Sequence, residues 1–224
     1  MSNLFVFGLA GAIAIGSLTA CGGNGNNFSM PANDSTKVES DVPSPIASAP
    51  VITPTKPAPV NLPDLQIKEL EPFKHPLGIV TMEVPKGWNL IDGSQAGELL
   101  LTWNEQGERA TISVNVFAPP NAVPEERLRD TFATIIKGMY GNQADFEMRS
   151  PVPEASGNVV IEWSSTIDVG NSKVKFQASS KLQRLNNKFV IFTFGAIAPK
   201  FPELKDYFFR IANGKVVNGD IAIP

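Results

Sequence analysis

The chain has 224 residues, 42% of them hydrophobic and 18% charged, with a formal net charge of −3. So weak a charge excludes the basic footprint of a nucleic-acid-binding protein. One cysteine excludes an intramolecular disulfide, and one histidine excludes a His/Cys metal cluster. The charge is also unevenly placed. Residues 1–20 carry none. Residues 21–72 hold Lys37, Lys56 and Lys68 against Asp34, Glu39, Asp41, Asp64, Glu69 and Glu71, so the whole excess lies there and residues 73–224 balance.

Taken in chain order, the apolar run from Phe5 to Ile15 is too short to span a bilayer reliably, which takes about 20 residues. It suits the core of a signal peptide, and residues 1–20 are read as one. Leu18-Thr19-Ala20-Cys21 closes the run and resembles the bacterial lipobox. That resemblance implies a diacylglycerol on the Cys21 sulfur, cleavage before Cys21, and acylation of the new amine by a chain such as palmitate. Met1-Ser2-Asn3 departs from the pattern by offering no Lys or Arg. The polar stretch Gly22-Gly23-Asn24-Gly25-Asn26-Asn27 follows at once, which argues against Cys21 as a core cysteine. One acyl chain holds a protein marginally, at about 0.8 kcal/mol per buried CH₂, whereas two or more hold it stably. Gly22 after the cysteine, by resemblance to enterobacterial sorting, favours the outer over the inner membrane.

Residues 21–72 read as a lipidated, disordered tether rich in Pro, Ser and Asn. Pro43, Pro45, Pro50, Pro54, Pro57, Pro59 and Pro63 remove backbone donors and fix φ, so neither helix nor sheet propagates. A Pro-rich chain extends at about 3.1 Å per residue. A spacer that stands the domain off a membrane and a passive tail of unselected length fit this composition equally.

Residues 73–224 read as one folded domain. Leu77 to Val84 is rich in β-branched residues and is expected to form the first strand, ended by Pro85-Lys86-Gly87-Trp88. Glu98 to Trp103 and Ala110 to Phe117 follow as strands, with Ile112, Val114 and Val116 on one face. Pro124, Glu125 and Glu126 open a helix whose stripe is Leu128, Phe132, Ile135, Ile136 and Met139; Gly138 or Gly141 stops it. Phe146 to Arg149 is a short strand. Val159, Ile161, Trp163, Ser165 and Ile167 alternate with polar residues, and so do Val174, Phe176, Ala178, Ser180 and Leu182. Gly170-Asn171 and Asn186-Asn187 are the turns. Phe189 to Phe194 is apolar on both faces and requires cover on both sides. Pro202 opens a last helix with Leu204, Phe208 and Ile211 inward, and Lys215 to Pro224 either adds an edge segment or frays. The expected fold is α+β: an α/β/α sandwich with a mostly antiparallel sheet of about six or seven strands flanked by helices.

No enzyme motif accompanies these elements. There is no G-x-S-x-G, H-E-x-x-H, P-loop or glycine-rich dinucleotide turn. His75, beside Pro76 at the domain entrance, is the sole candidate base for a triad. Glu125-Glu126 and Glu105/Glu108 have local explanations in a helix's first turn and a polar turn. No catalytic residue, metal or cofactor is therefore expected. The most partner-like feature is Lys173, Lys175, Lys181, Arg184 and Lys188. It reads either as a patch for an acidic protein or anionic head groups, or as a solvated face whose lysines discourage edge pairing.

The order of elements, with Pro85-Lys86-Gly87-Trp88 after the opening strand and amphipathic helices at Pro124 to Tyr140 and after Pro202, resembles the sandwich of the PsbP, Ran-binding Mog and DcrB families. These families are mostly accessory or binding proteins. With a lipobox and spacer, the resemblance implies a membrane-anchored, non-enzymatic accessory or binding module. Its site would be the periplasm, or the thylakoid lumen if cyanobacterial, and its partner an unidentified protein. A chaperone-like binder of apolar helices and a PsbP-like photosystem II accessory protein are the alternatives.

Overall fold

A computed structural model describes residues 64–224; the expected signal peptide, Cys21 and the tether up to residue 63 lie outside the described residues. The elements are β1 (Leu70–Lys74), β2 (Val80–Pro85), β3 (Asn89–Asp92), β4 (Glu98–Asn104), β5 (Ala110–Phe117), α1 (Leu128–Tyr140), β6 (Ala144–Met148), β7 (Val152–Pro153), β8 (Val159–Val169), β9 (Ser172–Leu185), β10 (Lys188–Ile197), α2 (Phe201–Gly214) and β11 (Val216–Val217). A single 3-10 turn, Glu125–Arg127, leads into α1.

The large sheet runs β3-β4-β5-β10-β9-β8-β6, with β7 added against β8, and all of its pairings are antiparallel. Two tight turns set the register of its longest strands. Gly170, at φ 58°, joins β8 to β9 so that Val169 faces Ser172. Asn186, at φ 55°, joins β9 to β10 so that Leu185 faces Lys188. Glycine and asparagine tolerate this left-handed backbone, which is why they occupy the turns.

β10 is the central strand, and its residues from Phe189 to Ile197 are all buried. The two-sided cover expected from its composition is present. On one face Phe189, Ile191 and Ile197 join Leu128, Phe132, Ile136 and Tyr140 of α1, together with Val159, Ile161 and Trp163 of β8. On the other face Val190, Phe192, Phe194 and Ala196 meet Leu204, Phe208 and Ile211 of α2 and Val80, Met82 and Val84 of β2. Each fully buried side chain of this size contributes about 1.5–3 kcal/mol. The layers are therefore α1, the large sheet, and a third layer of α2 beside a small sheet ordered β1-β2-β11.

The α1 face is not wholly apolar. The pairing aligns Thr102, Ser113, Thr193 and Ser180 in one row across four adjacent strands. The Trp163 indole N–H donates to Ser180 Oγ at 3.0 Å, and Ser180 and Thr193 share a hydroxyl bond of 2.8 Å. Tyr140 stacks on Trp163 with centroids 4.2 Å apart. Burial pushes the Tyr140 phenol pKa up, against the opposing effect of its hydrogen bonds to Thr193 and Ser113. Gly195 answers a packing need: a Cβ there would lie 2.5 Å from the Phe176 ring, which crosses β10 at that point.

Three expectations need correction. The first predicted strand begins at Val80, because His75 to Ile79 form a turn in which Gly78 sits at φ 74° and donates to the His75 carbonyl. The fold also takes in residues 64–72, which composition assigned to the tether. Leu65 and Ile67 are buried in the core and β1 starts at Leu70. Pro72 is tolerated because β1 is an edge strand. Finally, the sheet expected to have about six or seven strands has eight, with a separate three-stranded sheet beside it.

Beyond β11 the chain continues as a strap. The Asn218 N–H donates to the Ile79 carbonyl at 2.8 Å, Lys188 Nζ donates to the carbonyls of Gly219 and Ile221, and the Gly97 N–H donates to the Pro224 carbonyl. Ile221 and Ile223 pack on the core beneath it.

Candidate functional site

Strand alternation keeps Lys173, Lys175 and Lys181 on one face of β9. The structure spreads the other two cations elsewhere. Arg184 pairs across with Phe189, which belongs to the α1-side core, so it stands on the opposite face. Lys188 is engaged by the strap. The remaining four each meet a carboxylate from a different element: Lys173 with Asp168 at 3.1 Å, Lys175 with Glu147 at 3.5 Å, Lys181 with Glu154 at 2.8 Å and Arg184 with Glu125 at 3.3 Å. Exposed pairs of this kind contribute about 0–1 kcal/mol each. Their larger effect is to cancel the field of these four cations, while Lys188 is held by neutral carbonyls. His75 is buried, and its Nδ1 accepts from the Leu77 N–H at 3.3 Å, a local turn contact.

A different set of residues converges where α2 meets the half of the sheet it does not cover. α2 lies on β10 and β2, so the adjoining face of β9 and β8 carries polar side chains: Ser179, Lys181 and Gln183 on β9, and Glu162 on β8. Three residues of α2 and its C-terminus border this face. Lys205 reaches Glu162 at 3.4 Å and lies over the Phe209 ring at 5.5 Å from its centroid. Phe209 packs edge-on against Phe194 with 40% of its surface exposed. Lys215 caps the helix, its Nζ 3.3 Å from the Ala212 carbonyl and 3.3 Å from Gln183 Oε1, above the Phe192 ring at 5.7 Å. Glu162 also accepts from Arg149 at 2.6 Å, and so holds two cations.

Lys215 is the unusual member of this seam. Among the described residues it has no carboxylate within ion-pair distance, although its acceptors are neutral and its surroundings partly apolar. Burial lowers its pKa to about 8; the charge of Lys181 pushes the same way and Glu154 opposes it. Glu154 itself is held below the usual carboxylate range, chiefly by its hydrogen bond from Lys181. Below about pH 8 the seam thus holds a charged, half-covered ammonium that lacks an anion. Sequence reasoning missed Lys215, yet a signal was present. It lies four residues after Ile211 and continues the inward stripe of Leu204, Phe208 and Ile211, a position where a lysine must lay its stem on the core.

No protein-family model matches the chain, and no curated protein is significantly similar to it. Several solved structures are similar to it over about two thirds of its length. The cyanobacterial PsbP (CyanoP) of Synechocystis sp. PCC 6803 is 15% identical, covering 70% of this chain and 97% of its own, with a TM-score of 0.46. The Ran-binding protein Mog1p of Saccharomyces cerevisiae is 9% identical, covering 66% and 95%, at 0.44. LpqN of Mycobacterium tuberculosis, described as involved in cell envelope biogenesis, is 11% identical, covering 67% and 91%, at 0.39. None of the described helices is long and apolar enough to cross a membrane.

Proposed function

We propose that the protein is a lipoprotein anchored through Cys21, whose sandwich domain serves as a non-enzymatic binding module for a protein assembly at a bacterial envelope membrane. It would face the periplasm, or the lumen in a cyanobacterium. The observation that carries the binding half is the seam. The cations of β9 are matched by neighbouring carboxylates, while Lys215, over Phe192, lacks such a match, and Phe209 of the same helix stands exposed. An unmatched charge and an exposed apolar ring on one seam are the make-up of a recognition surface. The anchoring half rests on the lipobox-like Leu18-Thr19-Ala20-Cys21. A groove binder of apolar helices would need one contiguous apolar face. The exposed large apolar side chains, Leu77, Leu90, Ile91, Val152, Tyr207, Phe209 and Val216, are instead distributed over the loop before β2, β3, β7, α2 and β11.

The anchor is tested by detergent-phase partitioning of the full chain from its host. Wild type is expected in the detergent phase and Cys21→Ser in the aqueous phase. Wild type that partitions as the serine variant does would remove the lipoprotein reading.

A further inference from the structure

The seam also indicates what kind of partner it fits. Each neighbouring cation there touches a carboxylate: Lys181 pairs with Glu154, while Lys205 and Arg149 share Glu162. Lys215 has two neutral acceptors and a ring, and an ammonium has three donors, so one donor direction is left for a ligand. Gln183 gives its carbonyl oxygen to Lys215 and keeps its NH₂ as a second donor beside it. An anion placed here would meet Lys215 and Gln183, close to the charge of Lys181.

Phe209 supplies the other half. It packs on Phe194 and lies under Lys205, whose ammonium reaches Glu162 of the same seam. We propose that the seam binds a segment of a partner protein that presents a carboxylate and an apolar side chain, the carboxylate meeting Lys215 and the apolar group covering Phe209. The inference rests on the binding-module reading above and names its ligand chemistry.

The distribution of charge favours a peptide over a lipid surface. An anionic membrane would press a plane of negative charge against Glu154 and Glu162, whereas one carboxylate meets only the cationic side of the seam. The low pKa of Lys215 agrees with this: a carboxylate would relieve the isolation of a charge that is now poorly solvated.

The test uses the full chain carrying Cys21→Ser, with its lysines observed by NMR. The probe is the peptide acetyl-Glu-Ser-Leu-amide, added to about 10 mM, ten times a millimolar Kd. The expected result is a perturbed Lys215 ζ-amine with its titration midpoint raised by about one pH unit, since a nearby opposite charge favours the charged form. Binding should weaken by about tenfold or more when the peptide glutamate is replaced by glutamine, and likewise in Lys215→Gln, the loss of one charged hydrogen bond. It should stay unchanged in Lys173→Ala. Equal binding of the Glu and Gln peptides, or an unperturbed Lys215 at that concentration, overturns the proposal without relying on any variant's stability. Tight binding of phosphatidylglycerol vesicles that is lost in Lys215→Gln also overturns it, and moves the ligand to a lipid head group. A photo-crosslinking residue in place of Phe209 in the host separates this inference from its parent. Capture of one protein there, with no peptide effect on Lys215, leaves the binding module standing and removes the carboxylate ligand; no capture together with no peptide effect removes both.

Discussion

Lys215→Met removes a charge while keeping the length and apolar stem of the side chain. Its effect on stability follows from the geometry of the seam. With a folded-state pKa of about 8 against an ordinary 10.5, Lys215 is protonated in both folded and unfolded chains below about pH 8. There the folded state bears the cost of covering the ammonium. Between about pH 8 and 10.5 the folded protein has released this proton while the unfolded chain still holds it. The unfolded state then binds more protons, so wild-type stability rises with pH through that window. A span of about 2.5 units at about 1.36 kcal/mol per unit sets a ceiling of about 3 kcal/mol. Methionine also loses the bonds to the Ala212 carbonyl and to Gln183 Oε1, a cost of about 1–2 kcal/mol together. Lys215→Met is therefore expected to be about 1–2 kcal/mol more stable than wild type near pH 7, with the advantage gone by about pH 10. Urea unfolding followed by tryptophan fluorescence at both pH values measures it. A variant difference that does not change with pH, or a methionine variant markedly less stable at neutral pH, would refute the reasoning and leave Lys215 as an ordinary helix cap.

Two further outcomes concern the core. Gly195→Ala is expected to lower stability by about 1–3 kcal/mol in thermal or urea unfolding, because its methyl group would force the Phe176 ring and the Ala178 side chain aside. Thr193→Val should cost about 1–3 kcal/mol by the same measurements, since it keeps the shape but takes a hydroxyl partner from Ser180 and Tyr140 inside the sandwich. Loss of less than about 0.5 kcal/mol in either would show that the site relaxes freely.

Much of the fold could be read from particular residues. The alternation in β8 and β9, the turn residues Gly170 and Asn186, and the stripe of α1 are local signals, and each corresponds to an observed element. The run from Phe189 to Phe194 went further, since apolar residues on both sides demanded layers above and below. Of the small sheet, only β2 and, as one of two options, an edge segment after Lys215 could be read in this way. β1 is five residues with a proline at its centre, and β11 is two residues, so both owe their pairing to β2 and to burial against α2, not to any period of their own. β3 has an exposed pattern throughout and was invisible for the same reason. At the site, alternation correctly grouped three lysines of β9. What alternation cannot supply is the partner of each: Glu147 comes from β6, Glu154 from the loop after β7, and Asp168 from β8. Lys215 was hidden by the opposite effect, a charged residue at a position whose neighbours are apolar.

The place of β10 has a consequence for how the molecule is made. β5 pairs on one side with β4 and on the other with β10, Phe117 lying opposite Phe189 across a gap that contains α1, β6, β7, β8 and β9. A ribosome delivering this polypeptide releases β5 long before its second neighbour exists. During that interval Ile112, Val114 and Val116 sit on an unfinished edge, open to whatever extended chain comes near. Assembly must wait for the last third of the polypeptide, and a truncation anywhere before Ile197 would leave a half-sheet prone to stick to its own kind.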